Sequence, residues 1–205
     1  MIETIEDVYR AITRKRFLYN ITAIDNIPSI MQNGILCHDR ASRIQHTSVA
    51  IESVQSRRAD VRIPNGRRLH QYANLYFDYH NPMLSYLRAQ NEELCILALS
   101  ASVLDIPDCI VSDRNAAVAI AMFYPANEGI DKLDYEKILA QFWLHPDDEV
   151  EERNHKAIKC AEILVPDHIP YNYVSAACVV SETAKEQLFH KGFNREIIVD
   201  AEKFF

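Results

Sequence analysis

Apolar runs of strand length punctuate this chain without alternating regularly with helical stretches, and that irregularity restricts the architectures open to it. FLYNI at 17–21, ANLYFD at 73–78, ELCILALS at 93–100, DCIVSD at 108–113, CAEILVP at 160–166, YVSAACVVS at 173–181 and EIIVD at 196–200 each read as a strand. Residues 4–15 read as an amphipathic helix through Ile5, Val8, Tyr9 and Ile12. Thr22, three residues before Asp25, has the spacing of a helix N-cap, with Ile24, Ile27, Ile30 and Met31 as the buried stripe and Asn33-Gly34 as the stop. Further helices are expected at 48–56, from Pro82 to Arg88 and at 183–190. AAVAIAMFY at 116–124 reads as a buried helical segment and LDYEKILAQFW at 133–143 as an amphipathic helix. Strands and helices in this order predict an α+β fold and not a doubly wound sheet. At 205 residues the chain is expected to form one domain, 1–205.

The formal net charge of -7 counts against non-specific nucleic-acid binding, which depends on neutralising phosphates. Local clustering can override that total. Arg57, Arg58, Arg62, Arg67 and Arg68 fall in one short segment around the turn signature Pro64-Asn65-Gly66, and like charges so gathered repel unless an anion offsets them. A phosphate-bearing ligand and a solvated, mobile loop both fit that segment. Arg14, Lys15 and Arg16 add a second basic cluster, whereas Asp147, Asp148, Glu149, Glu151 and Glu152 concentrate the acids in 146–159, which reads as a polar loop able to close over a site.

The five cysteines are odd in number and mostly sit in apolar runs, which fits reduced core thiols. No paired spacing among the cysteines or the eight histidines suggests a metal. Acidic MIETIEDVYR lacks the basic start of a signal peptide, and no apolar stretch approaches the roughly 20 residues of a membrane span, so a cytoplasmic protein is expected.

Candidates for chemistry lie far apart in sequence but each at a strand end or beside a turn: Asn20, Thr22, Arg58, Tyr76 and Glu162. On the residues alone, the plainer readings are Thr22 as a cap and Glu162 as an exposed charge at the start of a strand. Tyr72, Tyr76 and Phe77 could stack on bases, although alternation within a strand sends at least one of them to the core.

YNITAIDNIPSIMQNGIL at 19–36, VQSRR at 54–58, LHQYANLYFDYHNPML at 69–84, VSDRN at 111–115 and CAEILVP occur in the order and approximate spacing of the DarT family. That family comprises bacterial toxins that ADP-ribosylate DNA bases. The resemblance implies an ADP-ribosyltransferase fold, a split, mostly antiparallel sheet around an NAD cleft with flanking helices. By the same resemblance Asn20, Ile21, Thr22, Ser29, Cys37 and Arg58 would contact NAD, residues 45–63 would fold over it, and 112–162 would form the substrate-recognising loop. Arg58 would also meet the substrate base, and Glu162 would be the catalytic glutamate. The partners that the resemblance implies are single-stranded DNA and an antitoxin that removes ADP-ribose from it.

Cleaving the nicotinamide bond creates a ribosyl oxocarbenium-like cation, which needs a fixed negative charge beside it. Glu162 is expected to supply that charge, with Tyr76 packed against the nicotinamide ring. A guanidinium keeps its proton at ordinary pH, so Arg58 is expected to clamp phosphate and stabilise the deprotonated base and not to act as a base itself. Many family members carry His where Asn20 and Asn115 stand here, and these exchanges favour the family's guanine branch over its thymine branch. Two other readings remain open at this level: the same fold acting on RNA or protein, and a non-catalytic nucleic-acid-binding module.

Overall fold

The computed structural model describes residues 4–205. The strands are β1 (Phe17–Ala23), β2 (Ile35–Leu36), β3 (Tyr72–Tyr76), β4 (Leu94–Ser100), β5 (Ile110–Ser112), β6 (Phe123–Pro125), β7 (Glu162–Pro166), β8 (His168–Ile169), β9 (Val174–Val179) and β10 (Glu196–Val199). Among the described residues, eight of them form one sheet in the order β10-β9-β4-β1-β3-β7-β5-β6, and β2 pairs with β8. Among the described residues only the β9–β10 pairing is parallel, so the expected mostly antiparallel α+β sheet is present. The sheet is also split. β1 lies along β4 from Phe17↔Ser100 to Ala23↔Leu94, yet meets β3 in register only at Tyr19↔Tyr76. Beyond that point the two halves part.

Strand periodicity assigns the faces. Leu75, Cys95, Leu97, Ile163 and Val165 point into the larger core with Leu18, Ile27 and Tyr9. Their neighbours Tyr76, Leu94 and Ile96 face the other way, into a smaller cluster with Ile21, Leu84, Leu87 and Cys160. Glu162 therefore starts a strand whose alternate residues are core, but on the side of the smaller cluster. All five cysteines are unpaired and buried.

The helices are α1 (Ile5–Thr13), α2 (Ile27–Asn33), α3 (His38–Ala41), α4 (Glu52–Asp60), α5 (Pro82–Tyr86), α6 (Ala126–Gly129), α7 (Tyr135–Ile138), α8 (Glu149–Lys159) and α9 (Glu182–His190). Thr4 and Asp7 close a reciprocal capping box on α1. Asn81 caps α5, accepting from the Met83 and Leu84 N–H groups, with Pro82 in the first turn where its missing N–H costs nothing.

Several expectations fail for local reasons. Thr22 is not a cap: it belongs to β1, a short 3-10 turn (Ile24–Asn26) precedes α2, and its Oγ1 instead accepts from Asn26 Nδ2 at 3.1 Å. The helix expected at 48–56 begins later, as α4. Residues 116–124 are not helical, because Asn115 Oδ1 accepts from Ala117 N–H and folds the chain into turns before β6. The helix expected at 133–143 stops at Ile138. Most of 146–159 is α8 and not a loop: Asp148 caps it through Val150 and Glu151 N–H, acids fill its first turn and lysines its last.

Gly34 shows how tightly the β2–β8 pair is set. It has φ +74°, and a Cβ there would lie 2.2 Å from the Ile169 carbonyl oxygen. Gly34→Ala is expected to cost about 2 kcal/mol or more, a fall of roughly 4 °C or more in Tm for a chain of this size. Thermal melting with an unchanged midpoint would contradict this packing.

Candidate active site

The parting of β1 and β3 opens a cleft with two chambers. The inner, about 250 Å³, is lined by Arg58, Tyr76, Met83, Asn115 and Cys160 among others, and the outer, about 190 Å³, by Thr22, Ser29, His38 and His46 among others. Asn20, Ile21, Val49, Ala50, Gln55 and Asn74 line both, so the chambers are continuous. The segment before α4 and α4 itself form one wall. A separate open groove of about 990 Å³, around Arg67, Tyr72 and Tyr124, holds none of the expected site residues.

Glu162 opens β7 directly opposite Tyr76 on β3, which puts the two side chains on one face. Its carboxylate is 1% exposed and faces Arg58, itself 7% exposed. Arg58 Nη1 donates to Oε1 at 2.8 Å and to Oε2 at 3.0 Å, and Ala116 N–H donates to Oε1 at 2.9 Å. Ser112 Oγ holds the strand's end by accepting from Glu162 N–H at 3.2 Å and donating to the Arg114 carbonyl at 2.7 Å. A carboxylate has roughly four acceptor positions. Three are taken here, and one on Oε2 is left.

Burial pulls the Arg58 pKa down, but the Glu162 charge and its hydrogen bonds outweigh that, so the guanidinium sits above its ordinary value. It is a fixed cation. Its Nε and Nη2 groups make no hydrogen bond to the described residues, which leaves them for a ligand. Burial, and next the nearby Glu162 charge, also drive the Tyr76 phenol well above its usual value. That hydroxyl stays protonated and approaches Met83 Sδ at 3.1 Å. The Cys160 thiol is pushed up to about 12 by burial and then by Glu162, so it offers a neutral wall and not a nucleophile.

Of the residues expected from sequence, Asn20, Ile21, Thr22, Ser29, Arg58 and Tyr76 line the cleft, and Glu162 lies directly behind Arg58. Cys37 is not brought there: it is buried with its N–H on the Asp167 carbonyl, and its neighbours Leu36 and His38 reach the outer chamber instead. Asn115, singled out in the sequence for its bearing on the target base, lines the inner chamber. Gln55, Asn74 and Cys160 were missed, although each sits within one of the motifs at 54–58, 69–84 and 160–166. The arginine cluster also divides. Arg67 pairs with Asp167 at 2.7 Å and Arg68 with Asp39 at 3.1 Å, so carboxylates of this chain offset much of its charge and only Arg58 enters the cleft.

Residues 112–162 are not one loop, since β6, α6, α7 and α8 lie within them. Among the described residues no group of His, Cys, Asp and Glu is arranged to hold a metal ion, and no helix is long and apolar enough to cross a membrane. Removing one partner of a buried ion pair strands the other charge. Glu162→Ala is expected to lower unfolding stability by about 3–5 kcal/mol, and Glu162→Gln by clearly less, because the amide oxygen still accepts from Arg58 and Ala116. Urea denaturation giving equal losses for the two variants would contradict the pairing.

Comparison with known proteins agrees with this geometry. The family model described as "ssDNA thymidine ADP-ribosyltransferase, DarT" matches residues 19–205. A DNA ADP-ribosyl transferase of Thermus aquaticus is 30% identical, over 83% of this chain and 78% of its own length. A DNA ADP-ribosyl transferase–DNA ADP-ribosyl glycohydrolase fusion protein of Thermosipho africanus is 33% identical over 91% of this chain. The match spans only 48% of that fusion, about half its length. The solved structure of Thermus sp. 2.9 DarT in complex with ADP-ribosylated ssDNA superposes with a TM-score of 0.81 at 25% identity, covering 94% of this chain and 97% of that one. With the family model covering nearly the whole sequence and the split sheet shared, this chain belongs to the DarT family.

Proposed function

We propose that this protein transfers ADP-ribose from NAD to a base of single-stranded DNA and releases nicotinamide. The observation that carries this reading is the buried Arg58–Glu162 pair on the floor of a two-chambered cleft, with one carboxylate acceptor position unfilled. In this reading the nicotinamide end of NAD occupies the inner chamber against the Tyr76 ring, and the adenosine end the outer chamber. Asn20, Ile21, Thr22 and Ser29 line its path, and Cys37 supports that wall from behind.

The remaining lone pair on Glu162 Oε2 takes the 2′-hydroxyl of the nicotinamide ribose. As the C1′–N bond breaks, its electron pair leaves with nicotinamide, and the positive charge that grows on the ribose is stabilised by that carboxylate. A nitrogen of the base then bonds to C1′ and its proton passes to solvent. Arg58, held protonated by Glu162, stabilises the base as it loses that proton through its unused Nε and Nη2 donors. It cannot itself accept the proton at neutral pH.

The matched family is described as acting on thymidine, whereas Asn20 and Asn115 favour guanine; Asn115 lines the inner chamber, where the base must arrive. The fused glycohydrolase of the Thermosipho relative supports a partner antitoxin that removes ADP-ribose from DNA, with this protein as the toxin of the pair. Such a pair would act where NAD and DNA meet, in the cytoplasm.

Incubation with NAD and single-stranded oligonucleotides, each lacking one base, followed by mass spectrometry, is expected to show the ADP-ribose adduct on all but one of them. No adduct on any DNA, with modification of RNA or protein instead, would overturn the acceptor. Glu162→Gln is expected to lower the transfer rate by roughly 100-fold or more while NAD affinity changes little, because the amide can still hydrogen-bond the 2′-hydroxyl but lacks the charge that stabilises the transition state. A variant within about threefold of wild type would sink the role given to the carboxylate.

A further inference from the structure

A dinucleotide brings two negative charges on its pyrophosphate, and the outer chamber has an unusual answer to them. No lysine or arginine lines it among the described residues; the side chains there able to take up a positive charge are His38 and His46. Arg58, in the inner chamber, is already neutralised by Glu162. His38, at the start of α3, stacks on His70 with ring centroids 4.0 Å apart and 31° between planes. His70 Nε2 is buried without a hydrogen-bond partner, and so is Oε1 of Gln55, the side chain that lines both chambers. Orphaned buried polar atoms are uncommon, and here one belongs to a side chain lining both chambers and the other to the ring packed against His38, which lines the outer one.

We propose that the stacked His38–His70 pair is the seat of the NAD pyrophosphate, with His38 as the contacting residue and His70 positioning it, and that NAD binding draws a proton onto the pair. The inference rests on the NAD reading above and adds its charge balance. Two imidazoles in face contact cannot both be charged unless an anion lies against them. Burial, then His38, then Arg58 hold His70 below its ordinary pKa, against a smaller opposing pull from Asp39. A pyrophosphate reverses that field and favours the imidazolium.

The surroundings do not supply the missing charge otherwise. On α3 itself, Asp39 is engaged by Arg68 and Arg40 lies 3.3 Å from His168 Nδ1 of β8. From α4 Arg58 opposes protonation, and His46 lies on the adjoining segment with its Nδ1 3.1 Å from the Ile44 carbonyl. A group whose pKa rises on binding contributes affinity below its bound value and loses it as pH climbs. NAD affinity should therefore weaken with rising pH through and just above the histidine range.

Calorimetric titration of the full chain with NAD, in buffers of different ionisation enthalpy at about pH 6.5 and about pH 8.5, reads this directly. The expected result is uptake of roughly half to one proton at the lower pH and affinity weaker by roughly tenfold at the higher. His38→Gln should abolish the uptake and flatten the pH dependence, while His46→Gln retains both. His38 is exposed, so the substitution should not disturb folding. Tight binding without proton uptake, or uptake that survives in His38→Gln, overturns the seat and leaves the transferase reading standing. No NAD binding at either pH overturns both.

Discussion

A guanidinium and a carboxylate, each all but removed from water, face one another where two halves of a sheet separate. Two ions so buried are costly to desolvate, and their attraction repays this only when the geometry is close and the remaining polar positions are satisfied. Here Arg58 and Glu162 meet at 2.8 Å, Ala116 N–H takes a further acceptor position, and Ser112 pins the backbone of Glu162. The chain thus spends stability to hold a fixed negative charge beside a cavity. A hydrophobic pair of similar volume would be at least as stabilising there, so stability alone does not account for the ion pair.

The rest of the fold serves this placement. β1 and β3 touch at one register point and then diverge, so the sheet provides both the rigid floor and the opening. The larger core lies against the opposite face, leaving Tyr76, Ile21 and Cys160 to floor the cleft with apolar surface. A low-polarity floor strengthens every charge interaction above it. The turns after β5 matter for the same reason: Asn115 folds the chain so that its next N–H reaches Glu162, and its own side chain borders the chamber.

Much of this was legible in the sequence, and the failures have physical causes. The strands were found because apolar alternation needs no tertiary information, and the position of Glu162 at a strand's start followed. Its contact with Arg58 spans 104 residues and has no local signature; family motifs brought the two together. α8 was misread as a loop because its charges hid its helical signals: Asp148 at the cap, acids in the first turn and the Glu152–Lys156 pair one turn apart. Residues 116–124 misled in the opposite sense, since small apolar side chains favour helix but one Asx turn from Asn115 overrides them. Beyond Ile138, Phe142 and Leu144 are exposed while Trp143 turns back onto His80 and Phe205, a choice set by distant partners. Cys37 and His38 show the limit at a single step of sequence: a motif locates the segment, but only packing decides which neighbour faces the cleft.

The central claim is that Arg58 and Glu162 act as one unit. A double-mutant cycle on single-turnover ADP-ribose transfer, with Arg58→Lys, Glu162→Gln and the combined variant, tests it most directly. The account predicts strong non-additivity, with the combined variant about as slow as the slower single one. Losses that multiply across the two substitutions would show two independent groups and contradict it.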